Sequence, residues 1–452
     1  MARIFAWIAA LALAPVMPLP AAAQQPAAAQ QASEPLKARI AELPAILQGK
    51  GDFEGFASPA FRAQVSRERF DQIAQQLASA YGPVTGIEKV TPVTPWTAEV
   101  ELAFRDAVGT IRIGVDQTPP NQVSTLLITG FTTREVSLDA VLDTIRALPG
   151  RTGFAYARLG EGKPELLKAD NADQPFAIGS AFKLVILAEL VRATNAGERH
   201  WTDTVTLDGK TELPGGAYTM SPPGTQVSLR DLAAKMISIS DNSATDILLR
   251  TLGRTRVEAM LPVIGIANPA ALRPFMGTLE MFKLKGIRGG EPGRQWLGLD
   301  EAGRRAMLDG ALAREPALAI APNLFQDGKP VMIDKIEWFE TPADLVRVMD
   351  WLRRNTATGP GAEARKILSI NPGIGRPAAA RWAYVGYKGG SEPGVMNMTL
   401  LLQGKDQAWY VITGSWNDTQ AAVSEVRFAG LIGKAAELTA PYSVTHSSRS
   451  SP

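Results

Sequence analysis

Ser180 and Lys183 lie three positions apart at the start of a stretch that predicts a helix, Ala181–Ala193. Residues at i and i+3 share one face of a helix, so the lysine amine can reach the serine hydroxyl. The unpaired N–H groups of a helix N-terminus favour negative charge that develops nearby. The pair therefore indicates a serine nucleophile with a lysine as its base. A capping serine beside a solvated lysine is the structural alternative.

A second polar segment, Ser240-Asp-Asn242, lies between two predicted helices. The first is Leu229–Ile239, for which Ser228 is the expected N-cap, and the second begins at Ser243. A short loop of this kind can project a hydroxyl and an amide into a cleft. Its structural alternative is an Asx turn followed by an N-cap.

A third segment, Lys388-Gly-Gly-Ser391, follows a predicted strand, Arg381–Tyr387. Two successive glycines allow a ligand or another stretch of backbone to approach closely. A β-turn with a solvated lysine is the alternative. If the three segments meet in one pocket, they supply two lysines and two serine hydroxyls for acyl transfer.

The chain has few of the residues that other kinds of catalysis need. Its only two histidines, His200 and His446, are near none of the three segments, which argues against a Ser-His-Asp triad. There is no cysteine, which excludes thiol catalysis, disulfides and cysteine-ligated metal. We therefore expect neither a metal ion nor a cofactor.

In their order and context the three segments resemble the S-x-x-K, S-D-N and K-T-G motifs of class A β-lactamases and penicillin-binding proteins. Gly389 stands in place of the threonine of the third motif. Thr341-Pro-Ala-Asp-Leu345 resembles a T-P-x-D helix start of this superfamily, and Asn355–Gly359 and Trp382–Gly390 resemble the approach to its third motif. The resemblance covers about residues 136–440. It implies an α+β fold in which a five-stranded antiparallel sheet packs against an all-helical lobe.

By this resemblance Ser180 is the acyl-forming nucleophile and Lys183 a proton acceptor or relay. Ser240 and Lys388 would pass a proton to the leaving nitrogen, and Asn242 would orient the substrate. The resemblance also assigns substrate binding to Gly390 and Ser391. The N–H groups of Ser180 and Ser391 would form the oxyanion hole, and Lys388 with the Ser391 hydroxyl would hold a substrate carboxylate.

The chain departs from the superfamily pattern at three places. The deacylating glutamate of an E-x-x-L-N loop has Glu280 as its nearest candidate, in a segment without the Leu-Asn pair, and an ordinary structural carboxylate is the alternative. Asp246 stands where an asparagine often follows the second motif. The long separation of Ser240 and Lys388 predicts an insertion at Gly286–Glu340, near the cleft.

Composition and the first residues bear on the compartment. A formal net charge of +2 argues against nucleic acid as the main partner. Met1–Ala23 has one early arginine, an apolar run and small residues before Gln24, which predicts a Sec-type signal peptide cleaved after about Ala23. We expect a periplasmic or secreted protein with no membrane segment in the mature chain.

The remaining boundaries follow from changes of pattern along the chain. Residues 24–34 predict a disordered spacer, and residues 441–452 a flexible tail. Between them, predicted helices at 35–47 and 59–81 and four strands between 86 and 130 indicate a small α+β domain at 35–133. Its element order resembles cystatin-like or nuclear-transport-factor-type folds. The added domain also resembles a subgroup of two-domain β-lactamase-like proteins.

The sequence thus favours a serine hydrolase that is acylated by β-lactams or related amides and esters. By resemblance this would serve β-lactam catabolism and antibiotic resistance. A peptidase or esterase resembling penicillin-binding proteins, with cell-wall-like substrates, is one alternative. A slowly acylating, non-hydrolytic module that binds β-lactams or peptidoglycan is the other. The oligomeric state is left open.

Overall fold

The computed structural model describes residues 31–208 and 216–441. The predicted signal peptide, most of the predicted spacer and residues 442–452 of the predicted tail lie outside the described residues. The end of the spacer is structured, contrary to expectation, because Ala32 is buried and Ser33 caps the first helix. Within the described residues no helix is both long enough and apolar enough to cross a membrane.

The N-terminal unit, residues 31–133, places four helices before a four-stranded antiparallel sheet. Each helix begins after a serine or aspartate whose side chain accepts a hydrogen bond from the first turn. The predicted single helix 59–81 is two helices, because Ser66 starts a new one. The elements are α1 Glu34–Leu47, α2 Phe53–Phe56, α3 Pro59–Gln64, α4 Arg67–Tyr81, β1 Val84–Thr94, β2 Thr97–Phe104, β3 Ala107–Val115 and β4 Val123–Thr133, with sheet order β1-β2-β3-β4.

The element order of this unit agrees with the sequence pattern. Its likeness to cystatin-like folds, and the domain boundaries themselves, stay predictions.

The rest of the chain builds a five-stranded antiparallel sheet from its two ends. The strands are β5 Arg151–Leu159, β6 Glu165–Asp170, β11 Tyr384–Glu392, β12 Val395–Gln403 and β13 Trp409–Asn417, in the order β11-β12-β13-β5-β6. Strand β11 is therefore an edge strand. It runs through Lys388-Gly-Gly-Ser391 instead of ending before it, which corrects the predicted strand end.

A helical lobe lies between β6 and β11 in the sequence. Its helices are α6 Lys183–Asn195, α7 Leu229–Ser238, α8 Asn242–Leu252, α9 Arg254–Ile264, α10 Thr278–Gly286, α11 Glu291–Leu297, α12 Glu301–Asp309, α13 Ala311–Arg314, α14 Pro342–Asn355 and α15 Ala362–Leu368. Three further helices pack on the opposite face of the sheet: α5 Leu138–Arg146, α16 Arg376–Ala379 and the final helix α17 Glu425–Thr439. Two small ribbons pair β7 Phe176–Ala177 with β10 Phe339–Glu340, and β8 Thr204–Thr206 with β9 Gln226–Ser228. The α+β class, with a five-stranded sheet and a helical lobe, is confirmed.

Each face of the five-stranded sheet carries its own apolar core. Side chains alternate across a strand, so Leu401 of β12 packs against the helical lobe, whereas Leu400 and Leu402 pack on the opposite face with α5 and α17. A third core fills the N-terminal unit. The alternation decides which residues of the neighbouring β11 can reach the helical lobe.

The N-terminal unit packs directly on helix α17. Tyr81 donates its hydroxyl hydrogen to the carbonyl oxygen of Val426, and the Val426 side chain packs against the core of the N-terminal unit. Gly130 of β4 lies against Gly375, where a methyl group on Gly130 would be 2.6 Å from the Gly375 Cα. This close approach needs a glycine.

We expect Gly130→Ala to lower the free energy of unfolding by about 1–3 kcal/mol, because the added methyl group would push two backbones apart. Chemical denaturation of the purified protein measures the effect. Gly86→Ala in the same sheet is the matched control, since a Cβ there meets no atom within 4 Å. Equal stability of the two variants would contradict this role of the contact.

Candidate functional site

Ser180 lies in a short 3₁₀ turn, Gly179–Phe182, that leads directly into helix α6. Gly179 has a φ of +48°, which a glycine adopts readily. The segment before the turn is held by Asn417 of β13. Its side chain accepts a hydrogen bond from the Ala177 N–H at 2.8 Å and donates one to the Ala177 carbonyl at 2.9 Å. The sheet thus fixes where the half-buried Ser180 is presented.

Lys183 is fully buried one turn after Ser180. Its Nζ lies 2.7 Å from the Ser240 carbonyl oxygen, 3.2 Å from the Ser240 Oγ and 2.7 Å from the Asn242 Oδ1. The first and second predicted segments therefore meet at this amine.

The backbone of Ser240 has a φ of +58°, a left-handed conformation that is uncommon outside glycine and costs about 1–3 kcal/mol. It lets the carbonyl and the hydroxyl of one residue contact the same lysine amine. The next residue, Asp241, caps helix α8 by accepting the Ala244 N–H at 2.7 Å. Its other oxygen accepts the Ala217 N–H at 2.6 Å, so the loop is braced on both sides.

Lys388 reaches the same serine from the edge strand β11. Its Nζ lies 3.0 Å from the Ser240 Oγ and also contacts the Gly389 carbonyl oxygen. One serine hydroxyl is thus shared by two buried lysine amines, from Lys183 and Lys388. The third predicted segment joins the other two.

Strand β11 lies immediately beside the Gly179–Phe182 turn, which carries the predicted nucleophile Ser180 and is called the nucleophile turn below. A Cβ on Gly390 would overlap the Ile178 carbonyl oxygen and the Ser180 nitrogen, and a Cβ on Gly179 would be 2.9 Å from the Ser391 nitrogen. The backbone nitrogens of Ser180 and Ser391 are therefore close neighbours. Two N–H groups in this position are the kind of donors that stabilise an oxyanion.

Gly389 and Ser391 lie on the face of β11 opposite Lys388. Their cross-strand partners, Met398 and Met396, belong to the core beneath α17. A Cβ on Gly389 would overlap the Tyr387 hydroxyl, which explains why a threonine is not found there. The Ser391 hydroxyl interacts with Glu425 at the start of α17. Its carboxylate-binding role stays a prediction, and Glu425 is a competitor for that hydroxyl.

Glu280 uses both carboxylate oxygens in structural contacts. Arg254 donates to them at 2.6 and 3.0 Å, and the Gly277 N–H donates at 2.7 Å to complete a cap of helix α10. These contacts favour the structural alternative over a general base.

Asp246 anchors the start of the same helix. Its oxygens accept the N–H and the hydroxyl of Thr278 at 2.7 and 2.6 Å, and the Leu279 N–H at 2.8 Å. A carboxylate suits this place because helix N-termini attract negative charge. Asp246 therefore ties α10 to α8, the helix that begins at Asn242.

Burial controls the charge of the two lysines. It lowers the pKa of Lys183 to about 7, against the opposing effect of Asp246 and Asp241. Burial, and then the neighbouring Lys183, lower the pKa of Lys388 well below its ordinary value. A lysine with a pKa of about 7 holds a substantial neutral fraction at neutral pH and can accept a proton.

Sequence reasoning missed Asn417 as a supporting residue of this site, and it noted Asp246 only as a departure from the superfamily pattern. Both residues lie beside other polar residues in the sequence, so no local pattern marks them as buried groups with fixed partners. Among the described residues, no cluster of histidines and carboxylates suits a metal ion.

Residues 135–313 match the model of a family described as the beta-lactamase enzyme family. The predicted superfamily resemblance is confirmed. The matched β-lactamase-like segment contains Ser180, Lys183 and Ser240, while Lys388 lies beyond it. No curated protein matches the chain.

Solved β-lactamases and a penicillin-binding protein are similar to about two thirds of the chain. A β-lactamase from Sphaerobacter thermophilus is 22% identical, with 66% of this chain and 95% of that one covered and a TM-score of 0.46. A β-lactamase from Chitinophaga pinensis is 17% identical, with 67% and 96% covered and a TM-score of 0.44. The protein PBP-A is 16% identical, with 67% and 93% covered and a TM-score of 0.44. Identities this low indicate no substrate for the present β-lactamase-like chain.

If β-lactams acylate Ser180, as the sequence predicts, Gly390→Ala should slow covalent labelling by a fluorescent penicillin on the order of 100-fold, because β11 would have to move away from the nucleophile turn. Gel fluorescence over time gives the rate. Gly160→Ala is the matched control, because a Cβ there meets no atom within 4 Å. Normal labelling of Gly390→Ala would show that the close approach is not needed.

Proposed function

We propose that this protein is a serine hydrolase that forms an acyl-enzyme at Ser180 with β-lactams or related amides and esters. The observation that carries the proposal is that the amines of Lys183 and Lys388 share the Ser240 hydroxyl. Lys183 lies one helical turn after Ser180. Two buried amines on one hydroxyl form a route along which a proton can move.

The acylation step uses these groups in sequence. The Ser180 Oγ attacks the carbonyl carbon of the substrate while its proton passes to the neutral amine of Lys183. The neighbouring N–H groups of Ser180 and Ser391 stabilise the oxyanion of the tetrahedral intermediate. The C–N or C–O bond then breaks, and the leaving atom receives a proton through the Ser240 hydroxyl, which Lys183 replenishes.

The proposed setting is the periplasm or the extracellular space, which rests on the predicted signal peptide. There the accessible substrates of this class are β-lactams and cell-wall-like amides. The structural engagement of Glu280 supports a second candidate function, a module that is acylated but turns over slowly. Steady hydrolysis of a chromogenic cephalosporin distinguishes the hydrolase from such a module.

We expect Ser180→Ala to abolish covalent labelling by a fluorescent penicillin, because the attacking oxygen is lost. Intact-mass spectrometry of the wild type and the variant measures the adduct. Ser369→Ala, in a solvent-exposed position at the end of α15, is the control and should label normally. A Ser180→Ala protein that still gains the adduct mass would refute the proposal.

We expect the rate of acylation to rise as pH increases through about 7, since Lys183 accepts a proton only after it has lost its own. Below this pH the amine is charged and cannot serve as a base. Stopped-flow labelling between pH 5 and 9 gives the profile. A rate that is flat across this range, or that falls with increasing pH, would remove Lys183 from the role of base.

A further inference from the structure

Three charged side chains meet in a buried cluster next to the segment that carries Ser180. The Nζ of Lys285 lies 3.1 Å from the Glu337 Oε1 and 2.5 Å from the Glu392 Oε1. The side chains of Lys285 and Glu337 are fully buried, and that of Glu392 is only 7% exposed. Glu392 is the last residue of β11, the strand that carries Lys388.

The two carboxylates have unequal surroundings. The Glu337 side chain is satisfied, because one oxygen binds Lys285 and the other accepts the Trp338 N–H at 3.1 Å. The Oε2 of Glu392 is buried and accepts no hydrogen bond, and the Glu392 carboxyl group lies within hydrogen-bond reach of the Glu337 carboxyl group. One carboxylate is enough to balance the charge of Lys285, so the second carboxylate is not needed for charge neutrality. A buried oxygen without a partner points to a bound water or a catalytic use.

Glu392 lies two residues beyond the point where β11 meets the Ser180 backbone. Lys388, Gly390 and Glu392 share one face of β11, the face toward the helical lobe. Gly390 is in contact with the Ser180 backbone, and Glu392 follows two residues later, a step of about 7 Å along a strand.

Contacts from the other side fix the cluster to the same turn. The Ile178 N–H donates to the carbonyl oxygen of Trp338 at 3.1 Å, and the Trp338 ring stacks on Phe182 with centroids 3.7 Å apart. Trp338 is the neighbour of Glu337. The cross-strand partner of Glu392, Val395, packs in an apolar cluster with Ala177. The residues that hold the cluster are thus those that hold Ser180.

We propose that Glu392 is the general base of deacylation: its free Oε2 holds the hydrolytic water beside the Ser180 ester. The inference rests on the proposed acyl-enzyme and names the residue that completes the reaction. Glu337 and Lys285 are positioning residues, because they orient Glu392 without contacting substrate.

The step balances in atoms and charge. The carboxylate of Glu392 accepts a proton from the water as the water oxygen attacks the ester carbonyl carbon. The tetrahedral intermediate then collapses, the bond from carbon to the Ser180 Oγ breaks, and the proton held by Glu392 passes to that Oγ. The acid product leaves, and Glu392 is again a carboxylate.

The electrostatics of the cluster support this role. Burial raises the pKa of Glu392 well above its ordinary value, Lys285 opposes the rise and Glu337 adds to it. Lys285 from α10 and Glu337 from the segment before β10 are the charged groups that face Glu392. A carboxyl group with a raised pKa exchanges protons nearer to neutral pH, as a general base must.

The decisive measurement is the lifetime of the penicillin adduct, followed by intact-mass spectrometry after removal of free drug. Glu392→Gln keeps the size of the side chain and an acceptor for Lys285, which Glu337 still neutralises. We expect the variant to acylate within a few-fold of the wild-type rate and to hold the adduct on the order of 100-fold longer. Glu189→Gln is the matched control, since Glu189 is a buried carboxylate paired with Arg192 outside this cluster. Its adduct should decay at the wild-type rate.

A second variant separates catalysis from mere stability. Glu337→Gln removes the negative charge that raises the pKa of Glu392, so the midpoint of the pH profile for deacylation should move to lower pH. Glu392→Asp retains a carboxylate and should restore part of the deacylation rate. Neither result is expected if the cluster only supports the fold.

The outcomes distinguish the two proposals. An adduct that decays equally fast in wild type and Glu392→Gln overturns Glu392 as the base while leaving the acyl-enzyme intact. An adduct prolonged by Glu280→Gln instead would assign that role to Glu280. Absence of any adduct on the wild type overturns the proposed function and this inference together. If Glu392→Gln does not fold, an unshifted pH profile for Glu337→Gln overturns the inference.

Discussion

The burial of two lysine amines around a single serine hydroxyl is the constraint on which the rest of this structure depends. An amine removed from water loses its hydration. Its charged form is then stable only if fixed acceptors replace the water, and otherwise the amine is neutral. Ser240 and Asn242 supply the acceptors of Lys183, while Asp241 and Asp246 supply nearby negative charge. Helices and strands from distant parts of the chain are thereby held around one point.

The same need explains the unusual backbone around the site. Ser240 adopts a left-handed conformation, and Gly390 brings a strand against the nucleophile turn more closely than any side chain would allow. Strained backbone of this kind is kept only where the surrounding contacts hold it in place. Here the bracing comes from the Asp241 cap and from the pairing of Asn417 with Ala177.

Much of this could be predicted from the sequence, for reasons visible at particular residues. The helix start at Ser228 was readable because a capping side chain precedes an apolar stretch, and the start at Thr341 because it resembles a T-P-x-D motif; both caps are present. The three polar segments could be named because each combines reactive residue types with a turn or helix start. The end of β11 was misplaced because glycines usually weaken strands, and here they permit a contact that only tertiary structure reveals.

The supporting groups could not be predicted in the same way. The pairing of Lys285 with Glu337 and Glu392 joins residues from three distant segments, and no local pattern encodes it. The insertion at 286–340 stays a prediction, and the contacts of Trp338, within this segment, with Ile178 and Phe182 were not foreseen. Contacts between residues that are far apart in the chain cannot be predicted from a single sequence.

The clamp between Asn417 and Ala177 has a consequence for how the protein is made. The sheet cannot be completed until its last strand has emerged, because β13 pairs with β5, a partner more than two hundred residues earlier in the chain. The earlier strands and the whole helical lobe are synthesised first, before β13, the central strand of the sheet, is available to pair with them. The clamp that fixes the segment before Ser180 can therefore form only after Asn417 has been synthesised and β13 has docked beside β5.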